Sequence, residues 1–427
     1  MKIPDSIYMV GIGGIGMSAL AQLLAHRGKK VSGSDREESP ATDLLAQKGI
    51  EVWIGHDQCH IPADAKLLVY SDAVPETNVE RMRAEEMGIP QKSYFEALGE
   101  VSKSARTIAV AGTHGKTTTT GMLAKILHFS DKKPSAVVGS IVQDFGSNFL
   151  PGAEDLLVVE ACEYRDHLLK LSPQILVITN IELDHTDYFP NLGALQKTFR
   201  KAAERVPENG IIVTNPYDPH IAAVLGGAKA PILDYTTQTV PALKQIGEFN
   251  RMNARAAKAA ARAAFPHLQE EYTDRALMEF KGSWRRFEYR GETPQGAVVY
   301  DDYAHHPTAI EATIEAARAQ FPQKKITVVF HPHLFSRTRD LFDGFVRSLA
   351  TADYVILAPI YAAREKDLGE VSSDMLAKAI AKTNQNVLSL HTFDAIRDEL
   401  LKSASGRDLI ITMGAGDIYK VAEQIAD

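Results

Sequence analysis

Short apolar runs recur along the chain, each ending on polar or glycine positions and most followed by a segment of helical spacing. That alternation predicts an α/β fold of parallel sheets, because strands covered on both faces read as continuous apolar runs. The first run, Ile7–Gly11, leads into Gly13, Gly14 and Gly16, then into a helix on which Met17, Leu20, Ala21 and Leu24 share a face. Gly28 closes that helix, and a second strand ends at Asp35. A further apolar stretch, Lys66–Tyr70, and the break at Gly88-Ile-Pro90 complete a small parallel sheet expected to end near residue 100.

A second series runs through Thr107–Ala111, Leu156–Glu160, Ile175–Asn180 and Ile211–Asn215. An alanine-rich helix, Asn253–Ala264, precedes Gly282-Ser-Trp-Arg285, where a third series starts with Val298–Asp302, Ile326–Phe330, Tyr354–Ala358 and Leu409–Met413. The expected domains are therefore residues 1–100, Rossmann-like; 101–283, a central α/β domain of P-loop ATPase type; and 284–427, a Rossmann-like doubly wound sheet. No sequence repeat is present, although the first and third segments are architecturally alike. In open sheets of this kind ligands sit beyond the carboxyl ends of the strands, so the polar strand ends are where chemistry is sought.

Composition narrows the function classes. A chain of 427 residues, 45% hydrophobic and 24% charged, can bury several cores and is neither disordered nor fibrous. Its net charge of −7 provides no positive field for nucleic acid or anionic lipid, so anionic substrates must be met by local groups. Cys59 and Cys162 are too few for a disulfide framework or a thiolate zinc site, which suits a reducing cytosol. No apolar run reaches membrane length and the amino terminus lacks a signal-peptide layout, so a cytoplasmic location without membrane insertion is expected.

The most specific chemistry lies at Gly112-Thr113-His114-Gly115-Lys116-Thr117-Thr118-Thr119-Thr120, between a strand and a helix. A glycine turn lets backbone N–H groups approach a polyphosphate, the helix N-terminus adds partial positive charge, Lys116 reaches the terminal phosphates and a following hydroxyl can hold Mg²⁺. The loop is a shorter variant of the general pattern, since Val110 stands where a first glycine belongs. ATP binding is the expectation. Gly11, Gly13 and Gly16 with Asp35 fit a dinucleotide fingerprint, a weaker signal. Glu160 and Thr117 are oxygen ligands suited to Mg²⁺, with His185 a further ligand; taken singly, Glu160 and Glu163 read as solvated strand ends and His185 as a loop histidine. Cys162 reads as a small buried residue. His331 and His333 form an incomplete metal pair, His305-His306-Pro307 a helix start, and Arg337 with Arg339 a solvated face.

Taken together, these motifs resemble the Mur ligase family of peptidoglycan synthesis over nearly the whole chain. The resemblance implies phosphate binding by Gly112 to Thr118, magnesium (or manganese) at Thr117, Glu160 and His185, adenine contacts at Asn250 and Asn253, a phosphate-bridging Arg286 and a ribose-binding Asp302. It is nearer to the alanine-adding branch: Gly11, Gly13, Gly14, Gly16 and Met17 look like that branch's uridine diphosphate loop, with Ser34, Asp35 and Ser71 beside it. Tyr303, His305, His333 and Arg337 would line the pocket for the muramyl carboxylate and the incoming amino acid; the catalytic set implied is Lys116, His185, His305 and Arg337. Leu334 replaces an arginine of some longer members, and that contact does not transfer. The implied substrates are ATP, UDP-N-acetylmuramate and L-alanine, and the implied assembly is a monomer or homodimer. Three rivals are a recycling ligase that attaches a tripeptide, an NAD-dependent oxidoreductase suggested by the amino-terminal glycines alone, and a noncatalytic nucleotide-binding module.

Overall fold

The computed structural model describes residues 3–363 and 365–426. Its first sheet contains β1 (Ser6–Val10), β2 (Lys30–Asp35), β3 (Glu51–Ile54), β4 (Leu67–Tyr70) and β5 (Gln91–Ser93), in the order β3-β2-β1-β4-β5. All neighbours are parallel, as the apolar runs predicted.

The second sheet contains β6 (Arg106–Ala111), β7 (Pro134–Val142), β8 (Ser147–Leu150), β9 (Ala153–Glu160), β10 (Ile175–Ile178), β11 (Ile211–Thr214) and β12 (Ile232–Asp234), in the order β12-β11-β10-β6-β9-β7-β8. The strands β10, β6 and β9 are adjacent, with Ala111 opposite Ile178 and Val110 opposite Glu160. This register delivers the ends of all three strands to one place. The hairpin β7–β8 is antiparallel and was not read from the sequence, because Gly139, Ser140, Ser147 and Asn148 interrupt its apolar pattern. Those polar residues have a use: Asn148 Nδ2 donates to Ile15 O at 2.6 Å, Gln22 Nε2 donates to Asn148 Oδ1 at 2.9 Å, and Ser147 Oγ donates to Gln22 Oε1 at 3.0 Å. The hairpin thereby docks on the helix Ile15–His26 of the first sheet.

The third sheet contains β13 (Glu288–Glu292), β14 (Val298–Asp302), β15 (Lys325–Phe330), β16 (Tyr354–Leu357), β17 (Val387–Ser389) and β18 (Asp408–Met413), in the order β13-β14-β18-β15-β16-β17. Only β13–β14 is antiparallel. One apolar cluster around Ile310, Phe330 and Phe345 and a second around Val329, Ile396 and Val421 place cores on opposite faces, the doubly wound arrangement expected.

The chain forms two compact units: residues 1–182, 193–242 and 252–281 in one, and 183–192, 243–251 and 282–427 in the other. The first holds the first two sheets. The division crosses the helix Glu248–Ala264, which starts five residues earlier than its alanine pattern predicted, so Asn250 belongs to the second unit and Asn253 to the first. Among the described residues no helix is long and apolar enough to cross a membrane.

Candidate active site

In the first unit, the turn after β6 is held from two sides. The end of β10 supplies one: Asn180 Oδ1 accepts from His114 N at 2.9 Å, Thr179 Oγ1 donates to His114 O at 2.6 Å, and Thr113 Oγ1 donates to Glu182 O at 2.8 Å. Asn253 packs against the other. Gly115 has φ +81° and begins the helix Lys116–Phe129, and a Cβ there would lie 2.2 Å from Asn253 Oδ1, so both backbone and space demand glycine. Lys116 Nζ donates to Gly112 O at 2.5 Å and Thr113 O at 3.1 Å, and sits 3.0 Å from both carboxylate oxygens of Glu163. Burial works to lower the Lys116 pKa, but the carboxylates of Glu163 and Glu160 outweigh it and the net shift is upward, so the ammonium stays charged. Glu163, 1% exposed, is therefore no solvated strand end.

Glu160, at the end of β9, accepts from Thr117 Oγ1 at 3.1 Å and from Gly139 N at 2.8 Å. A Cβ on Gly139 would lie 2.5 Å from Glu160 Oε2, so the bare backbone of β7 is what lets the carboxylate lie there. Thr118 is buried behind the loop. Cys162 is half-buried rather than fully buried, and desolvation pushes its thiol up to about 12.

Beyond β1, Gly13 N donates to Asp35 Oδ2 at 2.7 Å, and Gly11 packs against Ser71 with Gly14 on the open side of the turn. Gly16 lies against the Tyr94 ring. Two expected substrate contacts need correction. Ser34 is 0% exposed: its hydroxyl donates to Glu80 Oε2 at 2.5 Å and lies 3.0 Å from His56 Nδ1, inside a strand whose four central residues are all buried. Met17 is buried on the core face of its helix.

In the second unit, four residues singled out from the sequence meet at the carboxyl edge of the third sheet. Asp302 and Phe330 pair with the same residue, Met413, so Tyr303, His305 and His331-Pro-His333 emerge side by side. Arg337 is 3% exposed rather than part of a solvated face. Its Nε and Nη2 each donate to Asp184 Oδ1 at 2.8 Å, and its Nη1 donates to His333 Nδ1 at 3.0 Å. An arginine can only donate, so His333 carries its proton on Nε2. His305 Nδ1 faces the carbonyl of Tyr303 at 2.9 Å and its Nε2 lies 3.7 Å from Asp184 Oδ2. Burial, reinforced by Arg337, pushes this imidazole down to about 4 against the pull of Asp184, so it is neutral at pH 7.

Nearby groups set the frame. Asp302 accepts from Phe287 N at 2.7 Å and Ala304 N at 2.6 Å, and burial raises its carboxyl to about 6, with Arg286 opposing. Arg286 stands over the Tyr303 ring at 5.0 Å. His306 caps the helix Pro307–Gln320, the helix start read from the sequence. The imidazole of His333 stacks on the Tyr361 ring at 5.5 Å, while that of His331 meets the same ring edge-on at 5.6 Å. Leu334 has φ +72° and a buried side chain; Leu334 N donates to Tyr361 O at 2.9 Å, which holds this strained residue at the start of the helix carrying Arg337. His185, with φ +53°, follows Asp184 in the second unit, whereas Thr117 and Glu160 are in the first.

Three domain families cover the chain: "Mur ligase family, catalytic domain" over residues 6–106, "Mur ligase middle domain" over 110–246 and "Mur ligase, glutamate ligase domain" over 285–416. The chain belongs to the Mur ligase family.

Among Mur ligases, it is 38% identical to a UDP-N-acetylmuramate–L-alanine ligase of Caldicellulosiruptor saccharolyticus, over 99% of this chain and 98% of that one. It is 37% identical to the enzyme of the same name from Clostridium acetobutylicum, over 99% and 97%. The crystal structure of a UDP-N-acetylmuramate-alanine ligase from Thermotoga maritima superposes with TM-score 0.80 at 26% identity, covering 98% of each chain. A murein peptide ligase from Psychrobacter arcticus, at 24% identity and TM-score 0.72, covers 99% of this chain and shares the fold.

Sequence reasoning missed several residues of this Mur ligase site. Asp184 has no motif of its own between Leu183 and His185, and Thr179 and Asn180 read from the sequence only as a strand end. Gly139 and Tyr361 carry no local motif; only the sheet register and a loop crossing bring them to Glu160 and His333.

Proposed function

We propose that this Mur ligase joins L-alanine to the lactyl carboxylate of UDP-N-acetylmuramate, using ATP and releasing ADP and phosphate. The observation that carries the reading is the convergence of the 112–115 turn, Lys116 and the Glu160–Thr117 pair at one sheet edge. A glycine turn at a helix N-terminus, with a charged lysine inside it, is an electrostatic receptacle for a triphosphate. Glu160 and Thr117 present two hard oxygen atoms 3.1 Å apart, a donor set that fits Mg²⁺ or Mn²⁺. When bound, the ion would neutralise charge on the phosphates; His185 is a further ligand by resemblance.

A carboxylate is a poor electrophile, so activation comes first. An oxygen of the lactyl carboxylate attacks the γ-phosphorus, the bond to the β–γ bridging oxygen breaks, and an acyl phosphate and ADP form. The alanine amine then attacks the acyl carbon, and the tetrahedral intermediate expels inorganic phosphate. Lys116 stabilises the charge that spreads over the moving phosphoryl group. The 11–16 turn with Asp35 and Ser71 receives the uridine diphosphate. By resemblance, Asn250 and Asn253 are assigned to adenine, Arg286 to the nucleotide phosphate and Asp302 to the ribose. Tyr303, His305 and His333 face the amino acid, with Arg337 holding His333.

The test is direct. Purified protein with ATP, Mg²⁺ and UDP-N-acetylmuramate receives each amino acid, or the tripeptide, in turn while phosphate is followed. Release with L-alanine and not with tripeptide is the expected outcome; tripeptide preference would transfer the protein to the recycling reaction, and no release with any acceptor would remove the ligase reading.

A further inference from the structure

The contacts of Asp184 are one-sided. Three donors converge on Oδ1: Arg337 Nε and Nη2, and His185 N at 2.7 Å. None of these reaches Oδ2, which instead faces His305 Nε2 at 3.7 Å, beyond hydrogen-bond range. The facing nitrogen is a lone pair, because the partner of His305 Nδ1 is the Tyr303 carbonyl, an acceptor that fixes the ring proton on Nδ1. Two acceptors thus confront each other at a site where Asp184 is only 4% exposed. The charge of Asp184 is already met by Arg337, so what the gap lacks is a group with two N–H bonds.

We infer that the gap between Asp184 Oδ2 and His305 Nε2 is the seat of the α-ammonium of the incoming amino acid, which donates one N–H to each. A nitrogen about 2.9 Å from both acceptors would see them at about 80°, an angle two bonds of one ammonium can span with modest bending. The third N–H then points away from the acid–imidazole pair, and once its proton has left to solvent the freed lone pair opens on that side. Arg337 is a positioning residue in this scheme: it turns Asp184 so that Oδ1 is occupied and Oδ2 is presented. The inference rests on the ligase reading above and adds to it the group that recognises the amine.

Steady-state kinetics on the full chain, at saturating ATP, Mg²⁺ and UDP-N-acetylmuramate, separates recognition of the amine from recognition of the carboxylate. L-alanine is the substrate; propanoate and L-lactate, which keep the carboxylate and lack the ammonium, are the inhibitors. D184N and H305A are each expected to raise the KM for L-alanine about tenfold or more, as loss of one charge-assisted hydrogen bond would. The Ki values of propanoate and lactate should stay within about twofold, and H305Q, which retains an acceptor, should recover most of the KM. If D184N melts early because Arg337 loses its partner, H305A decides, since it leaves the Asp184–Arg337 pair in place. The inference is overturned if both variants keep the wild-type alanine KM, if the inhibitor constants rise in step with it, or if D184N shifts only the half-saturating Mg²⁺. Phosphate release by the wild type with L-alanine reports separately on the ligase reading.

Discussion

Lys116 and Glu163 form a buried ion pair, with both carboxylate oxygens 3.0 Å from Nζ, inside the turn where the nucleotide is proposed to bind. Stability and chemistry are therefore tied to one lysine, and variants can separate them. K116A should lower kcat by about 10²–10³, the loss typical of a donor aimed at developing charge. It should also destabilise the protein by about 3 kcal/mol, because Glu163 is left buried without its partner. In K116A/E163Q the melting temperature should recover while activity does not. A double variant that regained ligation would show that Lys116 serves only to neutralise Glu163.

Gly139 is expected to control the metal without touching it. In G139A the new Cβ collides with Glu160 Oε2, and the carboxylate must swing from the Gly139 N–H and from Thr117. The Mg²⁺ concentration for half-maximal rate should rise about tenfold or more, the usual effect of removing a group that orients a ligand. Titrating EDTA-stripped enzyme with Mg²⁺ gives the number, and an unchanged midpoint would remove Glu160 from the metal site.

His331 makes acid stability measurable. Its Nδ1 is buried without a hydrogen-bond partner among the described residues, and burial lowers its pKa to about 4, with Arg285 adding to the shift and Asp417 opposing it. A folded-state pKa below the unfolded one means that the unfolded chain binds the extra proton between about 6.5 and 4. Stability from this group is complete above about 6.5 and is lost as pH falls toward 4. Phe in its place keeps the contacts with Tyr361 and Phe393 and removes the proton. The melting temperature of H331F should therefore fall less steeply than wild type from pH 7 to 4.5, and parallel slopes would contradict the assignment.

S34A tests whether Ser34 serves the core and not a ligand. Its hydroxyl serves the buried Glu80, which also accepts from Tyr8 Oη at 2.7 Å. The expected change is about 1 kcal/mol in stability, the net worth of one hydrogen bond. The KM for UDP-N-acetylmuramate should stay within about twofold; a large rise would return Ser34 to the ligand surface.

Where chemistry is written in consecutive residues, the sequence was a good guide. The turn at Gly112–Thr117 and the cluster at Tyr303, His305 and His333 are local words, and the parallel strands beneath them follow from apolar runs of the right length. What escaped depends on pairing at long range. The β7–β8 hairpin looks polar because its serines and asparagine satisfy another element's hydrogen bonds, and its partner lies more than a hundred residues away. Arg337 read as solvated because arginine usually is; only Asp184, 153 positions earlier, makes its burial affordable. Ser34 and Met17 are buried despite their place beside a glycine turn, because proximity to such a turn says nothing about which way a side chain points.

The polar seam between Gln22 and Asn148 carries an evolutionary corollary. A chimera that imports its first sheet from a relative by a cut near residue 100 would sever that sheet from the hairpin that grips it, which is encoded some forty positions downstream. Recombination between such enzymes should therefore tolerate breakpoints after the hairpin better than breakpoints before it, and a graft of residues 1–152 should fold where a graft of 1–100 does not.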